Sequence, residues 1–146
     1  MIETLLKIQK AGYGSHSVNT ILIHYNYYLQ YNVHISNGAK KMEAYEWVGM
    51  ECGAVPQVVM YAVRMIRKFK AIYNIDSFLK VLLHIQNADC GNPCPDTILK
   101  YNEYYMQYDY YIKCGAKKMK AYKDAARDCN VNNQTVMVAV RLIIKI

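Results

Sequence analysis

Apolar residues recur every three or four positions along most of the chain, the spacing of a single buried stripe on an α-helix. Val18, Ile21, Leu22, Tyr25, Tyr28 and Leu29 place such a stripe on a helix over residues 17–33, and residues 2–10 also have a helical pattern. Ser36-Asn37-Gly38 breaks the chain, and residues 39–52 restart a helix with Met42, Tyr45 and Val48 on one side. Gly53-Ala54-Val55 reads as a tight turn. Pro56 suits the first position of the next helix, where its missing N–H costs nothing, and Val59, Ala62, Val63 and Ile66 form that helix's buried face. The second half predicts helices near 76–87, 96–112, 115–129 and 133–145, with Asp96 and Asn132 as N-caps. No segment alternates clearly enough for a strand, although Tyr, Ile and Val are frequent enough for short β excursions. The predicted fold class is all-α.

The pattern repeats because the sequence repeats. A shift of 77 aligns residues 20–68 with 97–145 without a gap, and 24 of the 49 pairs are identical. GAKKM at 38 and 115 and AVR at 62 and 139 are among the matches. The N-terminal segment continues the match at a shift of 73, IETLLK against IDSFLK, so the second copy carries four extra residues, near 88–96. Two copies are too few for a solenoid. Two tandem four-helix units are expected, residues 1–72 and 73–146, packed as a pseudo-twofold pair. A unit of this size buries only about 60% of its unfolded surface alone, so a substantial apolar interface between copies is expected as well.

The chain has 146 residues, with 53% apolar and 20% charged, enough to build a core and too few residues for a large multidomain enzyme. Eighteen Lys and Arg against 11 Asp and Glu give a net charge of +7, which favours an anionic partner, most commonly nucleic acid. The charge is spread, with 8 basic and 4 acidic residues in 1–72 and 10 and 7 in 73–146. No run approaches the ~20 apolar residues of a membrane span, so a cytoplasmic protein without a membrane partner is expected. Five cysteines, Cys52, Cys90, Cys94, Cys114 and Cys129, fit free thiols in a reducing compartment, with Cys52 and Cys129 buried at matching helix ends.

In each copy the last two helices are joined by a three-residue turn, Gly53-Ala54-Val55 or Asn130-Val131-Asn132, and a small residue, Gly49 or Ala126, stands where the helices must approach closely. That is helix-turn-helix spacing, and Gly and Asn tolerate the left-handed conformation such a turn needs. The resemblance extends further. Gly12-Tyr13-Gly14-Ser15-His16 is similar to the Gly-Val-Pro-Ala-His sequence that starts the second helix of the DNA-binding effector domain of the sporulation response regulators of Gram-positive bacteria. That family's recognition helix, Thr-Pro-Ser-Arg-Val-Glu-Arg-Ala-Ile-Arg, resembles residues 55–64 at Pro56, Val59, Ala62, Val63 and Arg64. The resemblance implies a helix-turn-helix fold and duplex DNA as partner. The second copy lacks the His. The positions where the family carries Arg and Glu are here Val58, Met60 and Tyr61, and Thr135, Met137 and Val138 in the second copy.

The candidate nucleic-acid-binding residues are therefore Lys40, Lys41, Gln57, Arg64 and Arg67 in the first copy, and Lys117, Lys118, Gln134, Thr135 and Arg141 in the second. Lysines at a helix start oppose the helix dipole, so Lys40, Lys41, Lys117 and Lys118 are either solvated or held for phosphate contact. Base edges are read by Arg, Lys, Asn or Gln, and few of these stand on the recognition positions. Val58, Met60, Tyr61, Met137 and Val138 instead form a candidate protein-binding face. On this alternative the chain is an inhibitor from a phage or mobile element, anti-CRISPR-like, that blocks a host protein or ribonucleoprotein. A homodimer, or burial of the two faces against each other, is the third option.

The tyrosines at 25, 27, 28 and 31 and at 101, 104, 105, 108, 110 and 111 have the form of a base-stacking platform, but their helical spacing places most of them in packing. Cys90, Cys94, Cys114 and His84 could form a zinc site only with unusual spacing and without counterparts in the first copy. His16, His24, His34 and His84 do not recur, and no phosphate-binding glycine loop is present. No catalytic activity, cofactor or metal is expected.

Overall fold

The chain forms eight α-helices and one π-helical turn in the computed structural model, which describes residues 1–146. In order these are α1 (Ile2–Ile8), the π-helical turn (Gln9–Tyr13), α2 (Val18–Ser36), α3 (Lys41–Cys52), α4 (Pro56–Ile72), α5 (Ile75–Asn87), α6 (Pro95–Lys113), α7 (Lys118–Asp128) and α8 (Asn133–Lys145). There is no strand, and no helix is long and apolar enough to cross a membrane.

Local chemistry sets the helix ends. The Ser17 side chain accepts from the Thr20 N–H at 3.2 Å, and the Asn74 side chain accepts from the N–H groups of Asp76 and Ser77, so α2 and α5 begin with N-caps. Asn132 caps α8 as expected, accepting from the Thr135 N–H at 2.8 Å. Asp96 does not cap α6. The N-cap is Cys94, Pro95 takes the first helical position, and Asp96 accepts from Gln9 Nε2 at 2.7 Å instead. The helix expected over 2–10 gives way after Ile8 to the π-helical turn, in which Gly12 adopts φ 91°, a conformation open chiefly to glycine. The extra residues of the second half lie mainly in the connection before α6, which spans 88–94 where the first half has only 14–17.

The buried stripes differ from the periodicity at single positions. On α2 the inward residues are Val18, Ile21, His24, Tyr28 and Tyr31, while Leu29 is exposed. On α3 they are Ala44, Tyr45, Val48 and Gly49, and Met42 faces solvent. Both departures have one cause. Helical spacing fixes the period of a stripe but not which face is turned inward, and that face is set by the helices packed against it, α3, α4 and α5 for α2 and α2 and α4 for α3.

Helices α2, α3 and α4 pack on one another, as do α6, α7 and α8. The first helices are exchanged: α1 lies against α6, and α5 against α2, while α1 and α5 also touch. One core cluster consequently runs across the middle of the sequence, from Leu5, Ile8, Ile21 and Ile66 to Phe78, Leu82, Ile85 and Ile98. Each of these side chains is fully buried, and each contributes about 1.5–3 kcal/mol by leaving water. A smaller cluster of Tyr108, Ala121, Ala125, Ala126, Val136 and Val140 joins α6, α7 and α8. The connections before α2 and α6 also bond to each other, Asp96 N–H donating to Gly14 O and Val18 N–H to Pro93 O, both at 3.0 Å. A Cβ on Gly14 would sit 2.2 Å from Asp96 Oδ1, so a larger residue there would displace the Asp96 side chain.

Candidate functional site

The α3–α4 and α7–α8 connections have the same backbone construction. Gly53 and Asn130 adopt left-handed φ values of 69° and 54°. The Ala54 N–H then donates to Gly49 O, and the Val131 N–H to Ala126 O, both at 2.9 Å. The small residue at 49 is required by the turn rather than by the helix crossing, since a Cβ there would lie 2.5 Å from Ala54 O. Ala126 is accommodated in the second turn and is almost wholly buried.

Each pair of helices presents cations. Lys40 and Lys117 are the residues that precede α3 and α7, and Lys41 and Lys118 are the first residues of those helices, all four exposed. The Lys40 N–H donates to Glu43 Oε2 at 3.2 Å, half of a capping box, because a lysine side chain cannot accept in return. Arg64 and Arg141 are exposed on α4 and α8, and neither they nor the four lysines form an ion pair. Arg67 is exposed too, but its guanidinium lies over the Tyr31 ring, 5.3 Å from the centroid. Gln57 and Gln134 are exposed in the first turns of α4 and α8. Thr135 is half-buried and bonded to the Asn132 cap through both its N–H and its hydroxyl, which leaves it little to offer a ligand.

Two cations went unrecognised in the sequence pattern. Lys120 and Lys123 are exposed on α7, at positions where α3 carries Glu43 and Glu46. The aligned repeats contain that signal as two reversals of charge. With Lys117 and Lys118 they make α7 the more cationic of the two helices.

The apolar candidates divide. Val58 and Val138 are exposed, at 40% and 47%, whereas Met60 and Met137 are half-buried. Tyr61 is 40% exposed but engaged: its hydroxyl is 3.3 Å from His16 Nε2, and the two rings stack 5.8 Å apart at 21°. Beneath them the Tyr13 hydroxyl lies 3.2 Å from His24 Nδ1. Burial pushes the Tyr13 hydroxyl well above the usual phenol range, with Tyr61 adding to the shift, and burial followed by the nearby His16 lowers the His24 imidazole. The sequence carried this aromatic and histidine group as GYGSH, but nothing in the local pattern linked it to residues 24 and 61.

Among the tyrosines, Tyr28, Tyr31, Tyr104 and Tyr108 are buried, and Tyr110, 60% exposed, is the most open of those at 101–111. Cys52 and Cys129 are half-buried rather than buried, and burial raises the Cys129 thiol, with Asp128 and Glu103 adding to it. No three His, Cys, Asp or Glu side chains gather in a metal-holding arrangement. No known protein family, curated protein or solved structure matches the chain.

Proposed function

We propose that the chain is a non-enzymatic nucleic-acid-binding protein, a small DNA-binding transcriptional regulator. In this reading each copy, 1–72 and 73–146, is a four-helix unit ending in a helix-turn-helix, and the two units act as a covalent pseudo-dimer on duplex DNA. One observation carries it: unpaired cations stand at the same places in both copies, Lys40, Lys41 and Arg64 in one and Lys117, Lys118 and Arg141 in the other. Exposed cations without carboxylate partners keep their full charge for phosphate, which supplies most non-specific DNA affinity. The family resemblance of residues 55–64 points the same way. The test is fluorescence anisotropy with random-sequence duplex DNA across a salt series. Micromolar or tighter binding with a steep salt slope is expected, together with loss of binding when those six residues are neutralised. Absence of binding at low salt overturns the reading.

A second reading is supported by the exposure of Val58 and Val138 where a base-reading helix needs hydrogen-bonding groups. Here the chain is a protein-binding module that blocks a host protein or ribonucleoprotein. Its positive charge rules against mimicry of DNA, so it would act by covering a surface. Serine at Val58, Met60, Tyr61, Met137 and Val138 then abolishes capture of that partner while the neutralised lysines do not, the reverse of the DNA result.

A further inference from the structure

We propose that the cleft between the 88–94 connection and α8 is a binding site for a small aromatic anion. The cleft is open to solvent along one side, has a volume of about 610 Å³ and is lined on its apolar side by Cys90, Val138, Leu142 and Ile144. Small-molecule sites commonly fall between about 300 and 1,000 Å³.

The other half of the chain shows what shape fills this space. Counted back from the starts of α2 and α6, Cys90 stands where Tyr13 stands and Pro93 where His16 stands, and the 77-residue shift pairs Tyr61 with Val138. In the first half the three rings close the position. Tyr13 is fully buried, 6.4 Å from the Tyr61 ring and 5.0 Å from the His16 ring, and His16 lies flat on Tyr61. In the second half the connection is longer, and the smaller side chains Cys90 and Val138 line the open cleft in place of the Tyr13 and Tyr61 rings. A planar aromatic body is therefore the shape that this backbone arrangement already accommodates once, as its own side chains.

The charge requirement comes from α8. Arg141 and Lys145 line the cleft, are exposed, and pair with no carboxylate. Lys145 Nζ donates to the Asp89 carbonyl at 3.3 Å, which holds it at the mouth. The Asp89 carboxylate is the one negative side chain in the lining, so the wall keeps a net positive charge. A carboxylate or sulfonate on the ligand would take the planar fork of Arg141, with Lys145 as second donor. The apolar wall and the two cations do not depend on the DNA reading.

The probe is 8-anilinonaphthalene-1-sulfonate, an aromatic sulfonate, titrated into the full chain and followed by its fluorescence. Saturable binding is expected, and it should slow alkylation of Cys90 by iodoacetamide without slowing that of exposed Cys114, read by peptide mass spectrometry. Val138→Tyr, which supplies the ring found at the matching position, should weaken binding at least about tenfold, as should the R141Q/K145Q double variant. The double variant should leave affinity for uncharged N-phenyl-1-naphthylamine within about twofold. Circular dichroism checks each variant's fold, and if Val138→Tyr misfolds, the Cys90 protection decides alone. Unprotected Cys90, wild-type affinity in folded Val138→Tyr, or equal loss of both probes in the double variant overturns the site.

Discussion

Tyr31 of α2 and Tyr45 of α3 stack with ring centroids 4.9 Å apart and planes 17° apart, and their counterparts Tyr108 and Tyr122 repeat the stack at 4.7 Å and 17°. The surroundings differ. Tyr31 is fully buried in the larger core cluster with Arg67 over its ring, whereas Tyr108 is 8% exposed in a small cluster whose other members are three alanines and two valines. Tyr31→Ala is expected to cost about 3–5 kcal/mol, the range for losing a buried aromatic ring. Tyr108→Ala is expected to cost about 2 kcal/mol, because part of the space it vacates opens to water. Urea denaturation of the two variants checks the order, and equal losses would show that the clusters are energetically equivalent.

Gly49 and Ala126 separate the two turns. Gly49→Ala drives a Cβ to 2.5 Å from Ala54 O, which is backbone and cannot swing aside. A loss of about 1–3 kcal/mol is expected from this overpacking. Ala126→Gly creates no clash and should cost only about 1 kcal/mol, the helix penalty of glycine plus a small void. Thermal melts that rank the pair the other way would place the strain elsewhere.

Acid should destabilise the protein through His24. Its imidazole is lowered in the folded state by burial first and by His16 second, so the unfolded chain binds the proton more readily. The stabilisation is complete above the unfolded value of about 6.5 and is lost as pH falls from there to the depressed folded value, below which it no longer changes. A falling melting temperature between pH 7.5 and 5 is expected. His24→Tyr, which copies Tyr101 at the matching position, should flatten it. An unchanged pH slope in that variant would assign the effect to another group.

If the chain binds DNA as proposed, the second copy should carry more of the affinity. Lys120 and Lys123 stand where α3 has Glu43 and Glu46. Neutralising Lys117, Lys118, Lys120 and Lys123 should weaken binding more than neutralising Lys40 and Lys41. Glu43→Lys with Glu46→Lys should tighten it, steepening the salt slope by up to about 0.9 for each new phosphate contact. A slope unchanged by either set would remove α3 and α7 from the interface.

Much of this fold is legible residue by residue. Pro56, Gly53 and Asn130 announce their turns because each has a backbone preference that needs no partner, and Asn132 announces a cap because the bond it makes is three residues away. Asp96 has the same chemistry and was drawn off by Gln9, 87 residues distant in sequence. The cationic candidates were legible as residue types, since exposure of Lys and Arg is the rule. The Tyr13, His16, His24 and Tyr61 group was not, because stacking and burial depend on which helix passes overhead.

The sequence by itself determined the helical class, the positions of the two matching turns and the matching bounds of α2 with α6 and, within a residue, of α3 with α7, because these follow from local preference and were written twice. Only the tertiary structure decided that α1 packs on α6 and α5 on α2. The apolar positions of α1 recur in α5, IETLLK against IDSFLK, so no local pattern distinguishes the two arrangements. The same holds for the cleft. Whether a side chain or a ligand fills a space depends on the volume left between a loop and a helix far apart in the chain, a quantity that exists only once both are in place.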